Sequence, residues 1–432
     1  MTNIRSIWFW ILCILGLVST GARAQDYEAP PVLEASALAP QDVPLKGAQY
    51  AVDAEVPTDG LLATFTIRSD FGRIEARGPG MLKLRVAEAE AVARLKEMKT
   101  TDVFVKSLSQ SGKALGDAAV NVVTNTKEVA KAVPAGVGRF LERTARSAKT
   151  AAQKIGDVRE DKEAGAPRGA EASTNEQNVA LAAGESAGST ALDVLGYDEK
   201  RRGLAQELQV DPYTTNPVLK KALDDVAWAA FAGGLGVDVL AMNVPGGRLV
   251  QTTSTLSDWI YSKPPGDLKV WMEKSLQNMG VDQETIDLFL RQKHWTLTTQ
   301  TALVMALEKL SGVEGRAEVL DTAVTADDED QTRFLAVGLF LLAREHEATP
   351  LAEILDGKPI GLTKEGRVVA TLPLDYVCWT ERVAQFASRE DLASRRPEVL
   401  IPGRFSPRAR SEMEKAGWEI REEVPLGLIF DP

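Results

Sequence analysis

The chain has 432 residues, 44% of them hydrophobic, and a formal net charge of −11. Its length predicts two or three domains of about 100–200 residues each. The acidic balance argues against a nucleic-acid partner, because phosphates require a basic surface. With two cysteines and two histidines in the whole chain, we expect neither a disulfide framework nor a metal site built on these residues.

Residues 1–24 predict a signal peptide. Arg5 precedes a short apolar run over residues 7–19, and Ala22-Arg23-Ala24 supplies the small residues that a signal peptidase requires. The run falls short of the roughly 20 residues that span a bilayer. We therefore expect an exported protein, periplasmic or secreted, cleaved between Ala24 and Gln25, with an uncleaved signal anchor as the alternative. Loss of the two arginines in this segment takes the net charge from −11 to −13.

The next segment is predicted to be a flexible leader followed by a β-hairpin. Residues 25–58 are rich in proline, alanine and acids and lack a sustained period, which is typical of an extended flexible chain. Residues 61–69 and 71–77 alternate apolar and polar side chains, which indicates two paired strands. Asp70 and Gly72 lie near the expected turn.

Amphipathic helices are predicted after the hairpin, so that residues 59–155 form one region. Leu82, Val86, Ala89, Val92 and Leu95 recur at helical spacing after the chain-breaking Gly78-Pro79-Gly80. The chain is locally basic from here to Arg159. Residues 156–178 are polar and almost free of large apolar groups, so we expect a disordered linker there.

One stretch, residues 127–154, is called the basic segment. An alanine-rich apolar stripe on its predicted helix leaves basic side chains on the remaining surface. Such a helix can contact anionic lipid headgroups or an acidic partner, although packing on the protein's own body is the plainer alternative. No strand or Walker-type Lys-Ser/Thr pair frames its glycines, which argues against a phosphate loop. The candidate contact residues are Lys127, Lys131, Arg139, Arg143, Arg146, Lys149 and Lys154.

Residues 179–350 predict a helical domain and residues 358–432 a small α+β or α/β module. In the helical domain Asn216 is expected to cap a helix that begins at Pro217. The last part contains a predicted hairpin over 359–372, a strand-to-helix stretch over 376–387 and a β-α-β-like unit over 397–424.

In that β-α-β-like unit Ser406 is the expected helix N-cap and Gly417 the expected helix stop. The predicted fold class is therefore mainly α, a helical body with a short N-terminal β-hairpin and a small C-terminal module.

Motifs for common chemistries are missing from the sequence. His294 and His346 have no metal-ligand spacing, and the acidic run at 327–330 lacks the glycine and final glutamate of a calcium loop, so we interpret it as a helix start. There is no Gly-x-Ser-x-Gly elbow and no dinucleotide fingerprint. Cys378, the last cysteine once the signal is removed, is expected to be a buried apolar residue. We expect neither a cofactor nor a bound metal.

These patterns favour an exported, non-enzymatic binding protein of the cell envelope. The basic segment would contact a membrane surface or an envelope protein. A second hypothesis is an exported hydrolase with a site assembled from distant residues, such as Asp375, Cys378 and His346, or from the aromatic helices around Trp259, Trp271 and Trp295. A third is a purely structural protein.

Overall fold

The computed structural model describes residues 27–102, 104–105, 196–233, 236 and 255–426. In this part of the chain the protein is mainly helical, with several small sheets. The chain divides into two compact units. The described residues of the first unit are 27–89, 255–257 and 269–426, and those of the second unit are 90–102, 104–105, 196–233, 236 and 258–268. None of the described helices is long and apolar enough to cross a membrane.

Thirteen α-helices lie in the described residues. They are α1 (Ala35–Leu38), α2 (Pro79–Lys99), α3 (Tyr197–Leu208), α4 (Pro217–Ala232), α5 (Thr255–Ser262), α6 (Pro265–Asn278), α7 (Gln283–Arg291), α8 (Leu297–Lys309), α9 (Glu318–Val324), α10 (Glu329–Ala348), α11 (Glu381–Ala387), α12 (Glu390–Ala393) and α13 (Pro407–Lys415).

The strands of the described residues are short and fall at the two ends of the chain. They are β1 (Val32–Glu34), β2 (Tyr50–Val52), β3 (Glu55–Pro57), β4 (Thr64–Ser69), β5 (Gly72–Arg77), β6 (Leu351–Ile354), β7 (Ile360–Thr363), β8 (Val368–Thr371), β9 (Tyr376–Val377), β10 (Glu398–Leu400), β11 (Arg404–Phe405) and β12 (Glu419–Arg421).

The stretch expected to be a flexible leader contains secondary structure from residue 32 onward. β1 pairs antiparallel with β3, and β2 pairs antiparallel with β4. Each of β1, β2 and β3 has three residues, too few to produce a visible alternation in the sequence. Their pairing with distant segments, which the sequence pattern does not reveal, holds them in place.

β4 and β5 form an antiparallel hairpin across the segments predicted for it. Phe65 and Ile67 of β4 have no exposed surface, because alternate residues of the strand face the core. After β5, Gly78 takes a positive φ of 88°, which glycine adopts without strain. The helix α2 then begins at Pro79, because the N–H that proline lacks would have no partner in the first turn of a helix. Its side chains Leu82 and Val86 pack into the same core as Phe65.

Polar side chains cap the helices at positions that the sequence indicates. Asn216 Oδ1 accepts a hydrogen bond from Val218 N at 3.0 Å, and Ser406 Oγ accepts one from Ala409 N at 3.0 Å, so both predicted N-caps are confirmed. In the acidic run Asp328 caps α10 by accepting from Gln331 N at 2.8 Å. The run therefore starts a helix, as its sequence predicts.

Five strands near the C-terminus make the C-terminal sheet, in the order β12-β10-β8-β7-β6. β8, β10 and β12 run parallel, whereas β7 and β6 are antiparallel to their neighbours. The β7–β8 hairpin and the β10–α13–β12 unit occupy the segments predicted for them. The helix α13 connects the parallel strands β10 and β12, since a parallel pair needs a crossover such as a helix. Gly417, with a φ of 88°, follows the end of α13 as expected. β9 and β11 form a separate parallel pair.

The segment before β4 is hydrogen-bonded to the C-terminal module within the first unit. Asp375 N donates to Leu61 O at 3.0 Å and Cys378 N donates to Gly60 O at 2.9 Å. Leu61 and Leu62 belong to the same buried cluster as the strands and helices of the C-terminal module. The segment just before the hairpin thus contributes to the core of the C-terminal module, whereas the hairpin side chains Phe65 and Ile67 pack in a separate cluster.

The N-terminal end of the described chain also contacts this module. Glu28 N donates to Trp379 O at 2.8 Å. Its carboxylate oxygen Oε2 accepts from Trp379 N at 2.5 Å and from Ser406 Oγ at 2.6 Å. Residue 28 is therefore held where β9 ends and α13 begins, in contrast to the flexible leader expected from composition.

The second unit contains α3 and α4, which pack against each other. Asp224 accepts hydrogen bonds from Tyr197 Oη at 3.0 Å and from Arg201 Nε at 2.7 Å. The neighbouring Asp225 pairs with Lys99 Nζ at 2.6 Å. Residues 269–348, which fall in the helical domain expected over 179–350, belong to the first unit. The expected signal peptide and the expected linker lie outside the described residues.

Candidate functional site

The seven basic residues predicted to contact a membrane or a partner all lie outside the described residues. Lys127, Lys131, Arg139, Arg143, Arg146, Lys149 and Lys154 therefore stay a prediction from sequence. The candidate site consists instead of groups that the fold of the first unit brings together.

A cavity of about 70 Å³, called the polar cavity, lies where three parts of the first unit meet. The end of β5 contributes Arg77, the N-terminal part of α10 contributes Asp330 and Arg333, and the segment after β8 contributes Asp375. Ionisable side chains from distant positions thus converge on one space that is large enough for ordered water or a small polar group. The remaining lining residues are Leu62, Gly78, Gly80, Met81, Phe334, Val337, Pro373 and Leu426.

Asp375 is the most buried ionisable group of the polar cavity, with 5% of its surface exposed. Its Oδ2 accepts a hydrogen bond from Ala63 N at 2.9 Å. A methyl group added to Gly78 would lie 3.3 Å from the same oxygen, so the backbone of that glycine closes over the carboxyl. Burial raises the pKa of Asp375 to about 7, and the nearby Asp59 adds to this, whereas the hydrogen bond from Ala63 and the charge of Arg77 oppose it.

Arg77 links the carboxylates around this cavity. Its Nη2 lies 2.5 Å from Asp59 Oδ2 and its Nη1 lies 3.5 Å from Asp330 Oδ2. Asp59 is held in turn by its other oxygen, which accepts from Leu61 N at 3.0 Å and from Leu62 N at 2.8 Å. Among the described residues, the buried Nε of Arg77 finds no hydrogen-bond partner. The guanidinium therefore keeps an unused donor beside the cavity.

Asp330 is the second carboxyl that lines the polar cavity. Burial raises its pKa to about 6 against the opposing charge of Arg77, and the adjacent Asp328 and Glu329 raise it further. Two carboxyls of one cavity thus titrate near neutral pH instead of near pH 4. Such perturbed groups in a cleft are typical of functional sites, although structural ion-pair networks produce them too.

Of the three residues named for a distant-residue hydrolase, Asp375 alone is among the described side chains that line the polar cavity. Cys378 is buried, and burial raises the pKa of its thiol to about 11, with Glu28 and Asp59 adding to the rise. A thiol with that pKa is a poor nucleophile at neutral pH. His346 Nδ1 accepts a hydrogen bond from Leu351 N at 3.0 Å, and burial together with Lys364 lowers the pKa of its ring.

The tryptophans of the alternative aromatic site have separate surroundings. Trp295 donates from Nε1 to Ala323 O at 2.9 Å and packs edge to face on Phe289, with ring centroids 5.2 Å apart. Trp259, in the second unit, lies under Lys263 Nζ at 4.5 Å from the ring centroid. Trp271 lies in α6. Trp295 thus acts as a core residue of the first unit.

An apolar cavity of about 50 Å³ lies in the core of the C-terminal module. Phe334 lines this cavity and the polar cavity, so the two spaces share a wall. Arg382 is the one charged residue among the described side chains that line it, and the others include Leu61, Leu372, Phe386, Phe405 and Met413.

Sequence reasoning did not identify Asp59, Arg77 or Asp330 as members of a site. Asp330 was visible only as part of the acidic run, and no spacing relates it to Arg77, which precedes it by 253 positions in the sequence. Within the described residues, no group of three or more His, Cys, Asp or Glu side chains could hold a metal ion. Comparison with known protein families, with curated proteins and with solved structures finds no match.

Proposed function

We propose that the protein is an exported binding protein of the cell envelope, with the N-terminal hairpin and the C-terminal α/β module as its scaffold. The observation that carries the proposal is the local charge of the basic segment. Residues 127–154 hold seven basic and two acidic side chains, in a chain whose net charge is −11. Anionic headgroups or an acidic protein surface would attract this segment, at about 1 kcal/mol for each basic side chain near a lipid surface.

Contacts in the described residues support a scaffold role for the first unit. Asp375 bonds to the backbone of Ala63, and His346 accepts from the backbone of Leu351. Cys378 is buried beside the segment that contains Gly60, whose carbonyl accepts from the Cys378 N–H. Each of these groups fixes the chain where two segments meet, which is what a rigid support for a contact segment requires.

The test uses the mature chain with Arg139, Arg143, Arg146 and Lys149 changed to glutamate. We expect binding to vesicles that contain anionic lipid, measured by flotation at low salt, to fall at least tenfold, and envelope association in cell fractionation to decrease. Because electrostatic contacts are screened, added salt should weaken the wild-type binding as well.

A charge-matched control separates a local contact from an effect of net charge. Lys220, Lys269, Arg291 and Lys364 are exposed, and their replacement by glutamate changes the charge by the same amount. We expect this variant to bind like the wild type. Equal loss in both variants, or no loss in the first, contradicts a contact by the basic segment.

The polar cavity favours a hydrolase as the second candidate function. A carboxyl that keeps its proton at neutral pH can act as a general acid, and an ionised carboxylate nearby can act as a general base. Asp375, with a pKa of about 7, suits the first role and Asp330, with a pKa of about 6, suits the second. Both line one cavity with Arg77, whose charge would stabilise a developing anion.

This candidate is tested with chromogenic ester, glycoside and peptide substrates. If the mature protein hydrolyses one of them, Asp330→Asn and Asp375→Asn should each reduce kcat/KM at least a hundredfold. Asp321→Asn, at an exposed position of α9, should leave the rate unchanged. Absence of hydrolysis by the wild type removes the hydrolase, and failure of both tests leaves a purely structural role.

A further inference from the structure

Three chain segments of the first unit meet at the residue Asp375. Its main-chain N–H donates to Leu61 O at 3.0 Å, and its carbonyl accepts from Arg404 N at 2.9 Å. Its side chain accepts from Ala63 N at 2.9 Å. The carboxyl is therefore built into the attachment between the hairpin region and the C-terminal module, not placed on a surface.

Charged groups face this carboxyl from each neighbouring element. Asp59 approaches from the loop before β4, and Arg77 from the end of β5. Asp330 and Arg333 line the same cavity from α10. On the side of the C-terminal module, Arg404 turns its guanidinium outward to Glu423, so it does not neutralise the buried carboxyl.

The positive charge of Arg77, which acts on Asp375, is already shared with two other carboxylates. Arg77 lies 2.5 Å from Asp59 and 3.5 Å from Asp330, so it neutralises those carboxylates first. A charge on Asp375 would be buried beside Asp59, with one hydrogen bond from the backbone as direct compensation. Burial of a charge without a full partner is costly, whereas the protonated carboxyl is neutral and can still accept from Ala63 N.

We propose that Asp375, together with Asp59, Arg77 and Asp330, forms a pH-sensitive junction that attaches residues 59–78 to the C-terminal module. The attachment is tight while Asp375 carries its proton and loosens when the proton is lost. The pKa of Asp375, raised to about 7, places this change near neutral pH, and the pKa of Asp330, raised to about 6, acts in the same direction.

The sign follows from linkage. Both folded-state pKa values lie above the ordinary value of 3.8, so the folded state binds more protons than the open state between about pH 4 and pH 7. The free energy of opening is therefore greatest at acid pH and falls as the pH rises through this window. Above about pH 8 it no longer changes.

Hydrogen exchange of the mature chain tests the junction directly. The amides of Ala63 and Gly78 are hydrogen-bonded there, to Asp375 Oδ2 and to Ala63 O. After correction for the intrinsic exchange rate, we expect their protection to fall by about tenfold or more between pH 5.5 and pH 8. Equal protection of these amides at the two pH values overturns the proposal, even without a variant.

Asp375→Asn supplies the second arm, because asparagine keeps an acceptor for Ala63 N but does not ionise. We expect the pH dependence of its protection at Ala63 and Gly78 over the same range to shrink to the smaller part that Asp330 supplies. Asp321→Asn, which removes an exposed carboxyl of α9, should retain the wild-type dependence. A wild-type dependence in Asp375→Asn would assign the effect to another group and overturn the assignment to Asp375.

Discussion

Replacing Glu28 by alanine tests whether the N-terminal end of the described chain is fixed on the C-terminal module. The substitution removes a carboxylate that accepts from Trp379 N at 2.5 Å and from Ser406 Oγ at 2.6 Å. Hydrogen bonds to a charged group contribute about 1.5–3 kcal/mol when well buried. Since Glu28 is only half-buried, we expect Glu28→Ala to lower the free energy of unfolding by about 2 kcal/mol. Glu28→Gln, which keeps an acceptor without the charge, should lose about half as much.

The measurement is urea unfolding of the mature chain at pH 7, followed by tryptophan fluorescence. Trp379 and Trp418 lie in the core of the C-terminal module or pack against it, so their emission reports on the unit that Glu28 contacts. Glu414→Ala, at an exposed position of α13, is the matched control and should change stability by less than about 0.5 kcal/mol.

A free energy of unfolding for Glu28→Ala within about 0.5 kcal/mol of the wild-type value would show that this carboxylate does not hold the N-terminal end on the module. Residues 27–31 would then contribute little to the fold, as the flexible leader expected from composition implies. If Glu28→Gln lowers the free energy of unfolding as much as Glu28→Ala does, the negative charge of Glu28, and not its capacity to accept hydrogen bonds, stabilises the contact.

Three further predictions rest on single contacts. Gly403→Ala should prevent native folding of the C-terminal module, because a methyl group there would overlap the carbonyl oxygen of Asp375. In the control Gly266→Ala the added methyl group meets no atom within 4 Å, so this variant should fold normally. Soluble yield and circular dichroism compare the two variants. Asn216→Ala should cost about 1 kcal/mol in thermal or urea unfolding through loss of the α4 cap, while Lys220→Ala on the exposed face of α4 should cost less than 0.5 kcal/mol. Cys378 should resist a thiol reagent in the native mature protein at pH 8 and react fully in urea, since it is buried and the pKa of its thiol is raised to about 11. Rapid labelling of the native protein would contradict its place in the core.

Local structure could be predicted where a short-range signal exists. The caps of Asn216 and Ser406 and the stop at Gly417 were predictable because each acts on backbone groups within three or four residues. The β4–β5 hairpin was predictable because its alternation extends over two neighbouring six-residue strands. Three-residue strands such as β1 and β3 carry no such signal, which is why residues 32–57 read as irregular.

The helix caps and stops, the N-terminal hairpin, the β-α-β order of the last 35 residues and the acidic balance of the chain follow from the amino-acid sequence. The tertiary structure brings Asp59, Arg77, Asp330 and Asp375 together, and their separation in sequence gives no periodic or spacing signal of this. The tertiary structure also sets the pKa of the buried carboxyls among them. A carboxyl has its ordinary pKa until burial removes its water, and burial depends on which distant segments pack over it. The pattern PLDYVCW around Asp375 contains the carboxyl, but burial raises its pKa to about 7, with Asp59 adding to the rise and Ala63 and Arg77 opposing it.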